Sequence, residues 1–254
     1  MLSFFKKSIK SCAFFFWKKL FSRHKQDYVF IMAHPRSGSS LLMQILTNNK
    51  DIIGFGEYFI NYKSMRSLKW FEFDIRRKTN SFFKGKKYVA NQINDNSLTK
   101  SFNLASYSNL KYLFLIRTPQ ESLSSLLKLS EKKLGYSDQK NALKIYTERL
   151  NYFYNEIPKI SSENRFFLTY HELTKNTDST LKKITQFLEL DTNLSSNYKV
   201  EKYTQIWGDP SENIVKGEIV NTNAVQVTLD KEILLQAEKE YHKLIELLSK
   251  EHAS

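Results

Sequence analysis

Four stretches of the chain are apolar in runs too short to be helices: Tyr28-Val-Phe-Ile-Met-Ala33, Lys87 to Asn91, Lys111-Tyr-Leu-Phe-Leu-Ile116 and Arg165-Phe-Phe-Leu-Thr-Tyr170. Near-continuous apolar character of this kind predicts strands covered on both faces, as parallel strands are. Between and after them the apolar positions recur every three or four residues. Leu41, Leu42, Ile45 and Leu46 form one stripe, and Leu123, Leu126 and Leu127 another. Leu143, Tyr146, Leu150 and Phe153 form a third, Leu181, Ile184, Phe187 and Leu188 a fourth within 177–190. Leu234, Ala237, Tyr241, Leu244 and Leu248 mark a last helix over about 230–249. That spacing is helical, and the stripes are read as core. Strands separated by helices predict an α/β fold with a central parallel sheet flanked by helices.

Composition agrees with one packed domain. Of 254 residues, 41% are hydrophobic and only 7 are Gly and 4 Pro, which argues against disorder. We expect one domain over 27–254, preceded by a basic, aromatic segment at 1–26. Cys12 is the single cysteine, so no internal disulfide forms, and no Cys/His spacing points to a metal.

The net charge of +13 raises nucleic acid as a partner, but the charge is local. Residues 1–26 carry seven Lys/Arg and no acid; residues 62–87 carry nine against Glu72 and Asp74. Outside these two segments the chain is close to neutral, which disfavours a nucleic-acid surface. The first segment lacks the roughly 20 apolar residues of a spanning helix. Lys18 and Lys19 also stand where a signal peptide would be cleaved. The expectation is therefore a cytoplasmic protein whose residues 1–26 either touch an anionic membrane peripherally or form a helix packed on the domain, or a frayed end. The second segment, with Trp70, Phe71, Phe73 and Phe82, reads as an excursion between the first two strands. It either shapes a substrate pocket or is a solvated face over an aromatic cluster.

The chemistry concentrates at His34-Pro-Arg-Ser-Gly-Ser-Ser-Leu-Leu42, a turn between the first strand and the first internal helix. Such a turn aims several unpaired backbone N–H groups at one point, and the helix dipole adds positive potential. Gly38 allows close backbone approach, Ser37, Ser39 and Ser40 add hydroxyls, and Arg36 adds a forked cation. This is an anion site. It is a poor fit to ATP, because Ser39 follows Gly38 where a Walker loop has Lys.

With those residues in view, the chain resembles the sulfotransferases that use 3′-phosphoadenosine 5′-phosphosulfate (PAPS), whose 5′-phosphosulfate loop is similar to Pro35–Leu42. The resemblance implies a P-loop-type three-layer fold, no metal and a hydroxyl-bearing acceptor. It continues downstream. Arg117 at a strand end, with Ser125 eight positions on, matches the family's 3′-phosphate motif. Phe167-Leu-Thr-Tyr-His-Glu-Leu173 is similar to a family strand whose Tyr contacts adenosine, which nominates Tyr170, although His171 replaces the family's acid. Trp207-Gly-Asp-Pro and Lys216-Gly217 resemble the segment that closes over the cofactor, which nominates Lys216.

Gly56-Glu57 resembles the pair in carbohydrate and tyrosyl-protein members, implying Glu57 as the base; the alternative for Glu57 is a surface or capping carboxylate. No His lies between His34 and His171 to serve as the cytosolic branch's base, and His34 is expected to pack or cap. Gln92 departs from the family, standing where tyrosyl-protein members carry a Lys. Either Arg36 then carries more of that load, or Lys87 or Lys100 substitutes, or activity is low. A glycan acceptor is the first expectation. A nucleotide-dependent kinase and a non-catalytic basic membrane- or nucleic-acid-binding protein are the alternatives.

Overall fold

The computed structural model describes residues 2–20, 25–130, 138–200, 214–220 and 227–252. Five strands form one sheet: β1 (Asp27–Ala33), β2 (Ile52–Gly54), β3 (Tyr88–Ile93), β4 (Leu110–Ile116) and β5 (Arg165–Thr169). Their order is β2-β3-β1-β4-β5, and every pairing is parallel. The four strands read from apolar runs are present. The three-residue β2 was not legible, being too short for a periodic signal; it is held by its register on β3, with Ile52 opposite Tyr88.

Residues of β1 alternate between two cores, as a strand's period of two requires. Tyr28, Phe30 and Met32 enter one cluster, Val29, Ile31 and Ala33 the other. The first cluster is closed by α3 (Met65–Lys78), α4 (Pro119–Ser130), α5 (Gln139–Glu156) and α8 (Lys231–His252). The second is closed by α2 (Ser39–Asn48), α6 (Tyr170–Lys175) and α7 (Thr177–Phe187). The result is the three-layer α/β arrangement expected from the pattern.

Residues 2–20 form helix α1, which docks on α3 through an aromatic cluster of Phe14, Trp17 and Phe73, flanked by Trp70 and Phe82. Of the sequence alternatives for this segment, a helix packed on its own domain is what the structure contains. Lys10 of α1 pairs with buried Asp74 of α3 at 2.7 Å. Arg77 pairs with the same carboxylate at 3.0 Å, and Tyr58 donates to it. Burial pushes the Asp74 carboxyl up, but these three donors hold it below its usual value. The excursion over 62–87 is therefore mostly helix, and it sits between β2 and β3 rather than between the first two strands.

Because β3 and β4 lie on opposite sides of β1, the chain reverses its direction of travel across the sheet at the carboxyl end of β1. In open parallel sheets that crevice is where ligands bind. The 34–40 loop occupies it.

Candidate active site

The loop leaves β1 at Ala33, and two of its residues have left-handed backbone: Arg36 (φ 68°) and Gly38 (φ 96°). For Arg36 that conformation is strained by roughly 1 kcal/mol or more, which the surrounding contacts must offset. Gly38 is the N-cap of α2, and no side chain caps the helix. A Cβ at Gly38 would lie 2.6 Å from Tyr170 Cδ2, so the glycine is required for space as well as for φ. Ser37 Oγ is buried without a hydrogen-bond partner. Uncapped helix N–H groups, an unsatisfied buried hydroxyl and a Cβ-free cradle form a donor set that fits an anion.

The downstream motif converges on this loop. Arg36 Nε donates to Ser125 Oγ at 2.9 Å, and an Arg117 Nη donates to the Arg36 carbonyl at 3.2 Å. The Arg117 guanidinium stacks on the Tyr170 ring at 4.0 Å. Its Nε is buried without a hydrogen bond, with Glu121 Oε2 3.5 Å away. Tyr170 thus touches both motifs, but it is the first residue of α6 rather than the last of β5. Thr169 and Glu172 form a reciprocal capping box that starts the helix there.

His34 is buried inside this arrangement. Its Nε2 accepts the Arg117 backbone N–H at 3.0 Å, and its Nδ1 lies 2.9 Å from the Pro35 carbonyl, to which it donates. Burial pushes its pKa down to about 4, so the ring is a neutral pin between two loops, as the packing expectation held.

Glu57 lies on the other side of the loop, in a pocket of about 420 Å³ shared with Pro35, Phe59, Asn94, Asp95 and Arg149. Burial pushes its carboxyl up to about 7; a hydrogen bond with Asn94 pulls down, Asp95 pushes up, and Arg149 pulls down. Asn94 Oδ1 also accepts from Ser39 Oγ at 3.2 Å. One amide therefore ties the first turn of α2 to the candidate base.

Gln92 does sit at the loop. Its Nε2 is 3.4 Å from Ser40 Oγ, and its buried Oε1 has no hydrogen-bond partner. Lys87 cannot supply the missing charge, because it is at the opposite end of β3, bonded to the Glu189 carbonyl at 2.5 Å. Lys100 is exposed. Lys216 is exposed in the turn Ile214–Lys216 and makes no hydrogen bond or ion pair among the described residues. Trp207-Gly-Asp-Pro lies outside the described residues. No group of residues able to hold a metal occurs among the described residues.

Sequence reasoning missed Arg149, the most consequential cation in the pocket. Only 2% exposed, it donates to the Ala33 carbonyl at 2.8 Å and to the Ile93 carbonyl and Asn96 Oδ1, each at 2.5 Å. It clamps the carboxyl ends of β1 and β3, the two strands from which the loop and Asn94 spring. A signal existed: Arg149 lies on the apolar stripe of α5, three residues after Tyr146 and four before Phe153, where a charge has no place unless it is bonded.

Sheet, switch-point loop and converging Arg/Ser pair define a P-loop-type α/β protein with a candidate anion site beside a carboxyl of raised pKa. The chain belongs to the sulfotransferase domain family, whose model matches residues 26–243. No curated protein matches it in sequence. The sulfotransferase domain from the Synechococcus PCC 7002 olefin synthase is similar in structure, with a TM-score of 0.57 at 16% identity over 85% of this chain and 95% of that one. A sulfotransferase domain from the curacin biosynthetic pathway reaches 0.50 at 14% identity, over 85% and 97%. Sulfotransferase STF1 from Mycobacterium tuberculosis H37Rv reaches 0.52 at 10% identity, over 92% and 80%. At these identities the likeness is one of fold.

Proposed function

We propose that this sulfotransferase takes its sulfuryl group from PAPS and passes it to an acceptor hydroxyl, with Glu57 as general base. The Ser39–Asn94–Glu57 connection carries this reading: it sets a carboxyl of near-neutral pKa beside an anion-binding loop. When bound, PAPS supplies a sulfuryl group on a phosphate leaving group. Ser37, Gly38, Ser39 and Ser40 would hold the 5′-phosphosulfate through backbone N–H and hydroxyl donors, with Arg36 neutralising charge. Arg117 and Ser125 would hold the 3′-phosphate, and Tyr170 would flank the adenosine.

Glu57 removes the acceptor's hydroxyl proton as the new sulfur–oxygen bond forms and the bond from sulfur to the phosphate oxygen breaks. The products are adenosine 3′,5′-bisphosphate, a sulfate ester and one proton on Glu57. Gln92 can donate a neutral hydrogen bond where a charge is expected, so Arg36 bears more of the load. Lys216 would have to reach the site by closure of its segment.

For the acceptor we favour a sugar hydroxyl. The Glu57 pocket is lined by Asn94, Asp95, Asn96 and Glu148 with the ring of Phe59, groups suited to neutral hydroxyls and an apolar sugar face. No residue of the basic 62–87 segment lines it, so an anionic acceptor has less support than the sequence alone offered.

Retention on immobilised adenosine 3′,5′-bisphosphate, followed by transfer of labelled sulfate from PAPS to an acceptor panel, tests the proposal. Binding that is lost in Arg117→Ala is expected. No retention at low salt removes the PAPS assignment, and retention with transfer to no hydroxyl acceptor removes the acceptor class.

A further inference from the structure

A second and larger hollow, of about 780 Å³, lies between α1 and the start of α3, and the proposed chemistry does not use it. Its cations are Lys18, Lys19, Lys63 and Arg66, all exposed, and no carboxylate lines it. Its apolar wall is made by Phe14, Phe15, Ile60 and Trp70. In a lining that holds no carboxylate, Lys18, Lys63 and Arg66 select an anionic occupant, and the aromatic wall selects one that also carries hydrocarbon.

The outer face of α1 narrows the choice. The inner face is satisfied, with Phe14 and Trp17 closed on Phe73. Yet Phe15, Phe16 and Leu20 of the same helix are 67%, 65% and 79% exposed. Phe59 and Met65 add two more exposed apolar side chains close in sequence to the α3 end of the hollow. A free anionic metabolite would satisfy the cations and leave these side chains in water. An anionic bilayer surface satisfies both, with headgroup phosphates on Lys and Arg and Phe side chains at the acyl boundary. No described helix is long and apolar enough to cross a membrane, so the contact lies along the surface.

We propose that the hollow between α1 and α3, with the outer face of α1, is a docking site for anionic lipid at a bilayer surface, one headgroup held among Lys18, Lys63 and Arg66. The position has a consequence for the enzyme. Phe59 lines the Glu57 pocket and the next residue, Ile60, lines the lipid hollow, so docking brings the pocket mouth to the lipid surface. The docking itself does not rest on the assignment of PAPS or of Glu57.

Co-sedimentation of the full chain with phosphatidylglycerol/phosphatidylcholine vesicles, against phosphatidylcholine alone, tests it. Binding to the anionic vesicles only is expected. Phe15→Ala/Phe16→Ala/Leu20→Ala and, separately, Lys63→Glu/Arg66→Glu should each weaken it at least about tenfold, since both apolar insertion and charge contribute. All five positions are exposed, so unchanged melting temperatures and unchanged retention on adenosine 3′,5′-bisphosphate are expected controls. Absence of vesicle binding overturns the proposal. Binding that the aromatic variant leaves intact also overturns it, because that is adsorption of a chain of charge +13. A dimer abolished by the same aromatic substitutions, without vesicle binding, assigns the face to a second copy instead.

Discussion

Arg36 Nε and Ser125 Oγ, 89 positions apart in the chain, are hydrogen-bonded at 2.9 Å. The contact joins the loop after β1 to the first turns of α4, so an anion on either side meets a donor set that is already assembled. Removing the hydroxyl should therefore reach beyond its own bond. Ser125→Ala is expected to weaken binding of adenosine 3′,5′-bisphosphate about tenfold, the usual value of a hydrogen bond to a charged group. Arg117→Ala should weaken it about a hundredfold. Calorimetric titration checks both, and affinity unchanged in Arg117→Ala would place the 3′-phosphate elsewhere.

Glu57 sets the pH dependence. With its carboxyl pushed up to about 7, activity should rise as pH increases through about 7 and the base deprotonates. Glu57→Gln should lower turnover at least about a hundredfold and remove that limb. Stability should move the other way. A carboxyl whose folded pKa exceeds its usual value of about 4.5 costs stability as pH rises from there to about 7, and the cost is constant above. At pH 8 Glu57→Gln should then be more stable than the native chain by on the order of 2 kcal/mol, discounted for partial exposure, with the gap closing near pH 4. Denaturant melts at the two pH values check the sign.

Arg149 is a positioning residue in this scheme. Arg149→Met leaves the Ala33 and Ile93 carbonyls without their donor and should cost about 3 kcal/mol, read in urea. Because Arg149 holds the Glu57 carboxyl down, the acid limb of the activity profile should also shift to higher pH. Arg149→Lys keeps the charge without the planar fork, so it should restore the limb more than the stability. A limb unmoved in Arg149→Met would reduce Arg149 to a purely structural part.

Gly38 and Tyr170 make a steric prediction. Gly38→Ala places a methyl 2.6 Å from Tyr170 Cδ2 and forces a left-handed alanine. A loss of about 1–3 kcal/mol and of bisphosphate binding is expected. Adding Tyr170→Ala should relieve the clash but not the backbone strain, recovering part of the stability and none of the Arg117 stacking. A neutral Gly38→Ala variant would contradict the close approach.

Much of the arrangement was legible because it depends on short-range rules. The run from Tyr28 to Ala33 could be read as a strand from its apolar continuity, and the stripe from Leu143 to Phe153 as a helix from its spacing, without knowing their neighbours. The loop at 34–40 could be read as a strand-to-helix turn and a candidate anion site because a strand, a turn rich in Gly and Ser, and a helix follow one another directly. By contrast, β2 is three residues with no period of its own, and Tyr170 begins a helix because Thr169 and Glu172 cap it. Of the two readings of the basic 62–87 segment, the Glu57 pocket gives no support to the first, since no residue of the segment lines it. Lys69 and Arg76 pair with Glu72 and Arg77 with Asp74, while Lys63 and Arg66 border the hollow beside α1.

The sequence by itself determined an α/β chain with a phosphate-type loop, a downstream Arg/Ser pair and a carboxylate between them, since each is a local pattern of residue types. Only the tertiary structure decided that Arg36 meets Ser125, that Asn94 links Ser39 to Glu57, and that Arg149 clamps two strand ends. Those relationships depend on β1 lying between β3 and β4. Strand order is set by how the two cores close on the sheet, which no local stretch of residues encodes.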